Sequence, residues 1–147
     1  MYKIQPVIEH IEKVYEMELV PCSIPRNPFQ YFKRSFYIFI HNKVSKKLFF
    51  FLRDKVSPIK FLDERSEGEI WFRKRNSEGR VSIEVEIKPF SSNYEVYEVK
   101  VYKQLKGEIL EFTLNLIDGV EQVDSHFSKV DELKQILRDY KLKNILN

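Results

Sequence analysis

The chain has 147 residues, 43% hydrophobic and 32% charged, with 12 Phe and 8 Tyr, which excludes a disordered or collagen-like polypeptide. A single cysteine, Cys22, excludes an intramolecular disulfide and favours an intracellular setting. The net charge of +3 is unevenly distributed, because residues 26–80 hold 14 Lys and Arg against 6 Asp and Glu, a balance of +8. Such an excess favours an anionic partner such as nucleic acid, although charge also fluctuates by chance over a window of this size.

The N-terminal segment, residues 5–17, has the periodicity of an amphipathic helix with Pro6 in its first turn. Its apolar stripe comprises Val7, Ile8, Ile11, Val14 and Tyr15. Three prolines between residues 20 and 29 exclude a continued helix and predict an extended connector. We therefore expect a helix that packs on a sheet, followed by a chain that crosses within the same domain.

Four strand candidates follow in the middle of the chain. Residues 31–41 and 48–53 are apolar at both odd and even positions, which is typical of central strands covered on both faces. Residues 59–62 form a short candidate, and residues 69–75 form another. In the last of these, Ile70 and Phe72 are expected to point into the core, and the residues expected on the other face are Trp71, Arg73 and Arg75.

The second half of the chain alternates most strictly between apolar and polar residues. In residues 81–88, one face carries β-branched residues and the other carries Ser82, Glu84, Glu86 and Lys88. Residues 94–103 and 108–117 predict a second hairpin with its turn at residues 106–107. A helix is expected to follow Ser128, which forms a variant capping box with Asp131, and its apolar stripe comprises Val130, Leu133, Ile136, Leu137 and Tyr140.

These elements predict a single α+β domain over residues 1–147. Its sheet is expected to be mainly antiparallel, with about six or seven strands, bracketed by an N-terminal and a C-terminal helix. No apolar stretch is long enough to span a bilayer and no signal peptide is recognisable, so we expect no membrane partner. The three histidines are far apart in sequence and predict neither a catalytic triad nor a metal pair.

The function of the polar row depends on how residues 69–75 pair with residues 80–88, and two registers are open. If residues 76–79 form the loop, Glu69 lies opposite Glu86, and two facing carboxylates beside Lys88 require a cation between them. If only residues 78–79 form the turn, every charged pair is complementary: Glu69 lies opposite Lys88, Arg73 opposite Glu84 and Arg75 opposite Ser82. Electrostatics favours the second register, in which the row is a salt-bridged surface. A bulge at Gly79 would shift this residue pairing again.

Acid-x-Lys at the end of a hydrophobic strand is also a catalytic pattern. Hydrolysis of a phosphodiester needs a divalent cation held by oxygen ligands, and a lysine on the same face orients the attacking water. Glu86-Ile87-Lys88 resembles the second half of the PD-(D/E)XK nuclease motif, and the Lys-, Glu- and aromatic-rich, Gly-poor chain is similar to small α+β nuclease proteins of archaeal filamentous viruses. The resemblance implies a Mg²⁺-dependent deoxyribonuclease with Glu86 and Lys88 as catalytic residues; its metal ligands would be drawn from Glu86, Glu69, Asp63 and Glu84.

A nucleic-acid partner is also indicated by aromatic and basic residues that share one strand face, because rings stack on bases and guanidinium groups neutralise phosphates. The candidate binding residues are Trp71, Arg73, Lys74, Arg75, Arg80, Lys46 and Lys47. The alternative is an edge strand protected by charge, within a non-catalytic domain whose aromatic sheet and helices form a homodimer or another protein interface.

Overall fold

In a computed structural model, which describes residues 4–20, 36, 39, 42, 70–90 and 93–146, the chain has an α+β architecture. The elements in chain order are α1 (Gln5–Val14), β1 (Glu18–Val20), β2 (Ile70–Arg75), β3 (Val81–Phe90), β4 (Asn93–Lys103), β5 (Gly107–Asn115), a 3-10 helix (Leu116–Asp118), α2 (Gly119–Phe127) and α3 (Asp131–Leu146). No helix among these residues is both long and apolar enough to cross a bilayer.

The five strands form one antiparallel sheet in the order β1-β2-β3-β4-β5. Strict alternation directs the apolar residues of β2, β3 and β4 to one face, where they join the buried faces of the three helices in a continuous core. Phe72, Val85 and Val99 are fully buried there. The other face carries polar side chains, so the hydrophobic effect fixes which residues of each strand remain available for other roles.

The predicted fold class is confirmed, including helices near both ends of the chain and the inward and outward sides of β2 and β3. The described residues contribute five strands, fewer than the six or seven predicted. One of these, the short β1, was missed; it lies between the predicted first helix, which ran through residue 17 whereas α1 ends at Val14, and the proline-rich connector. The strands predicted at residues 48–53 and 59–62 lie outside the described residues.

The strand predicted at residues 31–41 is wrong at the positions that the structure describes. Phe36, Phe39 and Asn42 are helical, and Phe36 and Phe39 are 57% and 60% exposed instead of buried on both faces. A run that is apolar at both odd and even positions is compatible with a helix as well as with a central strand, and periodicity does not separate the two.

The capping role predicted for Ser128 is also wrong. Ser128 closes the preceding helix, α2, where its hydroxyl donates to the Asp124 carbonyl oxygen at 2.6 Å. The helix α2 itself was not predicted, since residues 119–127 are short and begin with glycine. The stripe predicted for the last helix is confirmed, with Leu133 and Leu137 buried and Ile136 and Tyr140 packed against the core.

Gly119 lets the start of α2 approach α1 closely. A Cβ atom at this position would lie 2.7 Å from Val7 Cγ2, and Val7 is stiff because it is β-branched within a helix. Alanine normally stabilises a helix relative to glycine by about 1 kcal/mol, but here we expect Gly119→Ala to lower the free energy of unfolding by about 1–3 kcal/mol through overpacking. Urea unfolding measures the change.

A double-mutant cycle identifies the cause of this loss. Val7→Ala removes the methyl group that the new Cβ would meet, so Gly119→Ala should cost clearly less in the Val7→Ala background. Ser125→Ala, on an exposed position of the same helix, serves as the control for helix propensity. An equal cost for Gly119→Ala in both backgrounds would refute the steric explanation.

Candidate nucleic-acid interface

The pairing of β2 with β3 follows the charge-complementary register. Ile70 lies opposite Ile87, Trp71 opposite Glu86 and Arg73 opposite Glu84. A bulge between Lys74 and Arg75 then places Arg75 opposite Val81, whereas the complementary register predicted Ser82. The two-carboxylate pairing required Glu69, which lies outside the described residues, but the register that would have created it is excluded.

The turn between β2 and β3 is closed by Asn76. Its side-chain oxygen accepts from the backbone N–H groups of Glu78 and Arg80, each at 3.0 Å, and Gly79 adopts a φ of 81°. Asparagine and glycine are suited to these two tasks. The Arg75 guanidinium then donates to the Gly79 carbonyl oxygen at 2.7 Å, so this cation is held beside the turn.

Cross-strand pairing gathers the polar residues of four strands on one surface of the sheet, here called the polar face. It comprises Trp71, Arg73, Glu84, Glu86, Lys88, Glu98, Lys100, Tyr102, Glu108, Glu111 and Thr113. One part of it is a series of alternating charges: Lys88 Nζ lies 3.9 Å from a Glu86 oxygen and 3.8 Å from a Glu98 oxygen, and Lys100 Nζ lies 3.3 Å from Glu98 and 4.0 Å from Glu108. We call this series the ionic ladder.

The ladder shifts the pKa of two of its members, Glu98 and Lys100. Burial by itself would raise the pKa of Glu98, but the hydrogen bond from Lys100 and the charges of Lys88 and Lys100 outweigh it, so the pKa of Glu98 lies below its usual value. The same hydrogen bond raises the pKa of Lys100. Both groups therefore remain charged around neutral pH, and Glu86 and Lys88 belong to a cross-strand network of three glutamates and two lysines.

The other part of the polar face is aromatic and basic. The rings of Trp71 and Tyr102 are stacked, with centroids 5.6 Å apart and planes inclined by 26°. They project from β2 and β4, which are separated by β3 and therefore roughly 10 Å apart, so the two side chains lean towards each other across β3. Arg73 lies beside them and donates to a Glu18 carboxylate oxygen at 2.7 and 3.1 Å.

The β2–β3 turn and the β4–β5 turn lie at the same end of the sheet. The antiparallel order brings the end of β2, the start of β3, the end of β4 and the start of β5 together. We call this end of the sheet the hairpin end. Of the predicted binding residues, Arg75 and Arg80 lie at this end and Arg73 lies two residues before Arg75, whereas Trp71 lies near the start of β2 and its ring reaches Tyr102 near the end of β4. The Lys74 ammonium donates to the Tyr15 carbonyl oxygen at 3.0 Å at the end of α1. Lys46, Lys47, Asp63 and Glu69 lie outside the described residues.

Of the residues proposed to bind a metal, Glu84 and Glu86 lie in the described part of the chain, whereas Asp63 and Glu69 lie outside it. In the described part of the chain, no group of three or more His, Cys, Asp or Glu side chains is placed to hold an ion. Glu84 and Glu86 are two residues apart on β3, and the Lys88 ammonium lies 3.9 Å from a Glu86 carboxylate oxygen. Lys88 therefore lies on the same side of β3 as Glu86, at the spacing that the acid-x-Lys pattern requires, and the metal site stays a prediction.

A second cluster of polar residues, on the helical side of the sheet, was missed by the sequence analysis. One oxygen of Asp124 accepts from the Tyr15 hydroxyl at 2.6 Å and lies 2.7 Å from His10 Nε2. Tyr15 is fully buried, and burial together with the hydrogen bond and charge of Asp124 raises its pKa well above the ordinary value. The three residues come from α1, its end and α2; they are too far apart in sequence to form a short motif.

Comparisons with models of protein families, with curated proteins and with solved structures find no match to this chain.

Proposed function

We propose that the chain binds nucleic acid at the hairpin end of its polar face. The observation that carries the proposal is the stacked pair of Trp71 and Tyr102 beside arginines on the same face. Rings of this kind bind bases with little regard for sequence, and guanidinium groups neutralise phosphates. Both rings are half-buried, which holds them in place and leaves part of each accessible.

The placement of charge supports the same conclusion. Arg75 and Arg80 are exposed at the turn, and the Arg75 guanidinium is oriented by its bond to Gly79. The ionic ladder holds three glutamates against two lysines, so most of its negative charge is neutralised within the ladder and one net negative charge opposes the arginines. Aromatic and cationic groups therefore occur together on the polar face near the hairpin end.

Removal of the two exposed arginines tests this proposal. For Arg75→Gln/Arg80→Gln we expect several-fold weaker binding of a labelled oligonucleotide and a salt dependence, log K against log[salt], that is shallower by roughly one for each arginine that contacts a phosphate. Fluorescence polarisation over a range of salt concentrations measures both. The matched control is Lys141→Gln/Lys143→Gln, which removes the same charge from exposed positions of α3.

Three results distinguish the functional hypotheses. Equal weakening in the arginine and lysine variants would mean that the net charge, not this site, binds nucleic acid. Absence of binding above background at moderate salt would reject the proposal and favour the protein-interaction domain. Cleavage of DNA in Mg²⁺ that EDTA and Glu86→Gln both abolish would establish the nuclease, which stays a prediction from the Glu86-Ile87-Lys88 triplet.

A further inference from the structure

A pocket opens beside the stacked rings at the hairpin end. It is lined by Val81, Ser82, Glu84, Tyr102, Lys103 and Gln104 and has a volume of about 200 Å³. This is smaller than the sites that take drug-sized ligands. It offers an aromatic ring, a carboxylate and an amide within one opening, which suits a small flat group with polar edges.

We infer that this pocket takes one nucleobase of a single-stranded nucleic acid and that Glu84 accepts a hydrogen bond from the exocyclic amino group of that base. The inference rests on the proposed function and adds to it the strand type and the chemistry of the recognised base. Cytosine and adenine present an amino donor of this kind, whereas thymine presents a carbonyl acceptor in the corresponding position.

The aromatic wall of the pocket requires an unstacked base. Tyr102 both lines the pocket and stacks on Trp71, so a base that enters beside Tyr102 joins an existing stack of rings. In a duplex the faces of the bases are covered by their neighbours, and only the edges are accessible from the grooves. A single strand exposes its base faces without prior unpairing, and proteins commonly bind such bases on aromatic side chains of a sheet.

Glu84 is the residue that makes the pocket prefer a base with an exocyclic amino group over thymine. Its side chain is exposed, and in the part of the chain that the structure describes its carboxylate has no ion-pair partner; the cross-strand neighbour Arg73 bonds Glu18 instead. An ionised carboxylate accepts hydrogen bonds and repels the acceptor edge of thymine.

The test compares oligo(dC), oligo(dT) and duplex DNA of about 15 residues, a length that covers one site. Trp71 is the single tryptophan of the chain, so quenching of its fluorescence reports stacking directly. We expect the wild type to bind oligo(dC) about fivefold more tightly than oligo(dT), and to bind the duplex more weakly than oligo(dC). In Glu84→Thr the ratio of the affinity for oligo(dC) to the affinity for oligo(dT) should fall to about one. The affinity for oligo(dT) should rise, because a negative charge is lost.

Glu78→Thr is the matched control, because it removes a carboxylate from the turn at the hairpin end without altering the pocket. It should raise affinity for both oligonucleotides and keep their ratio. A ratio near one in the wild type, an unchanged ratio in Glu84→Thr, or tighter binding of the duplex would overturn the inference while nucleic-acid binding itself stands. Failure to bind any of the three ligands would instead reject the proposed function.

Discussion

Phe127→Ala is expected to lower the free energy of unfolding by about 3–5 kcal/mol, the range for removing a large aromatic side chain from a packed core. Phe127 is fully buried at the end of α2. Its ring meets Tyr15 edge-on with centroids 5.0 Å apart and meets Phe112 edge-on at 6.1 Å. The residue therefore joins α2 to the end of α1 and to β5, and its loss leaves a cavity where three elements meet.

Urea unfolding followed by far-UV circular dichroism measures this loss. Phe90→Ala is the control, because Phe90 is 50% exposed at the far end of β3 and its removal should cost less than about 1 kcal/mol. Phe127→Leu retains most of the buried volume, so its loss of unfolding free energy should lie between those of Phe127→Ala and Phe90→Ala. If Phe127→Ala proved no more harmful than Phe90→Ala, the packing of α2 on the sheet described above would be incorrect.

Much of the sheet was predictable from the alternation of apolar and polar residues, whereas the register between β2 and β3 was predictable only in part. Alternation in residues 81–88 assigned Ile83, Val85 and Ile87 to the core, where all three are fully buried. Charge complementarity favoured the pairing of Arg73 with Glu84 that the structure has. The bulge after Lys74 was not predictable from charge, because it depends on how the Asn76 side chain closes the turn.

The candidate site depends on contacts that no local pattern encodes. Trp71 and Tyr102 were both visible in the sequence, but their stacking requires β2 and β4 to flank β3 in the correct register. His10 and Asp124 are 114 residues apart, and only the packing of α1 against α2 brings them together. The missed helix α2 had a signal in the spacing of Val120, Val123 and Phe127, but it extends over only nine residues.

The two parts of the polar face assign different roles to residues that looked alike in sequence. Glu86 and Glu84 occupy equivalent positions of an alternating strand, yet Glu86 is 8% exposed beside Lys88, whereas Glu84 is exposed at the pocket. The first contributes to a network of alternating charges that joins β3, β4 and β5. The second keeps a carboxylate available beside an aromatic ring, and this difference in surroundings is why we place recognition at Glu84.

Asp124→Ala is expected to lower the free energy of unfolding by about 1–3 kcal/mol, because it leaves the buried Tyr15 hydroxyl without its acceptor. The loss should shrink in a Tyr15→Phe background, where no hydroxyl needs an acceptor. Part of it should persist there, since Asp124 also contacts His10 at 2.7 Å. A double-mutant cycle by urea unfolding measures the coupling, and strict additivity would show that the hydrogen bond to Tyr15 contributes nothing to stability.

The same hydrogen bond predicts a loss of stability in alkali. The pKa of Tyr15 is raised in the folded state by burial first and by Asp124 second, whereas an unfolded tyrosine has a pKa of about 10. Below that pH both states carry the proton, and the contribution of Tyr15 to stability is complete. Above it the unfolded chain releases a proton that folded Tyr15 retains, so stability should fall by up to about 1.4 kcal/mol per pH unit from this residue.

Tyr15→Phe removes this titration, so unfolding free energies measured at a series of pH values above 10 should decline less steeply in the variant than in the wild type. The comparison of slopes isolates Tyr15 from the other tyrosines and the lysines, which titrate in both proteins. Parallel slopes would mean that Tyr15 ionises in the folded state as readily as in the unfolded state. That result would contradict both its burial and its bond to the Asp124 carboxylate, and with them the docking of α2 against the end of α1.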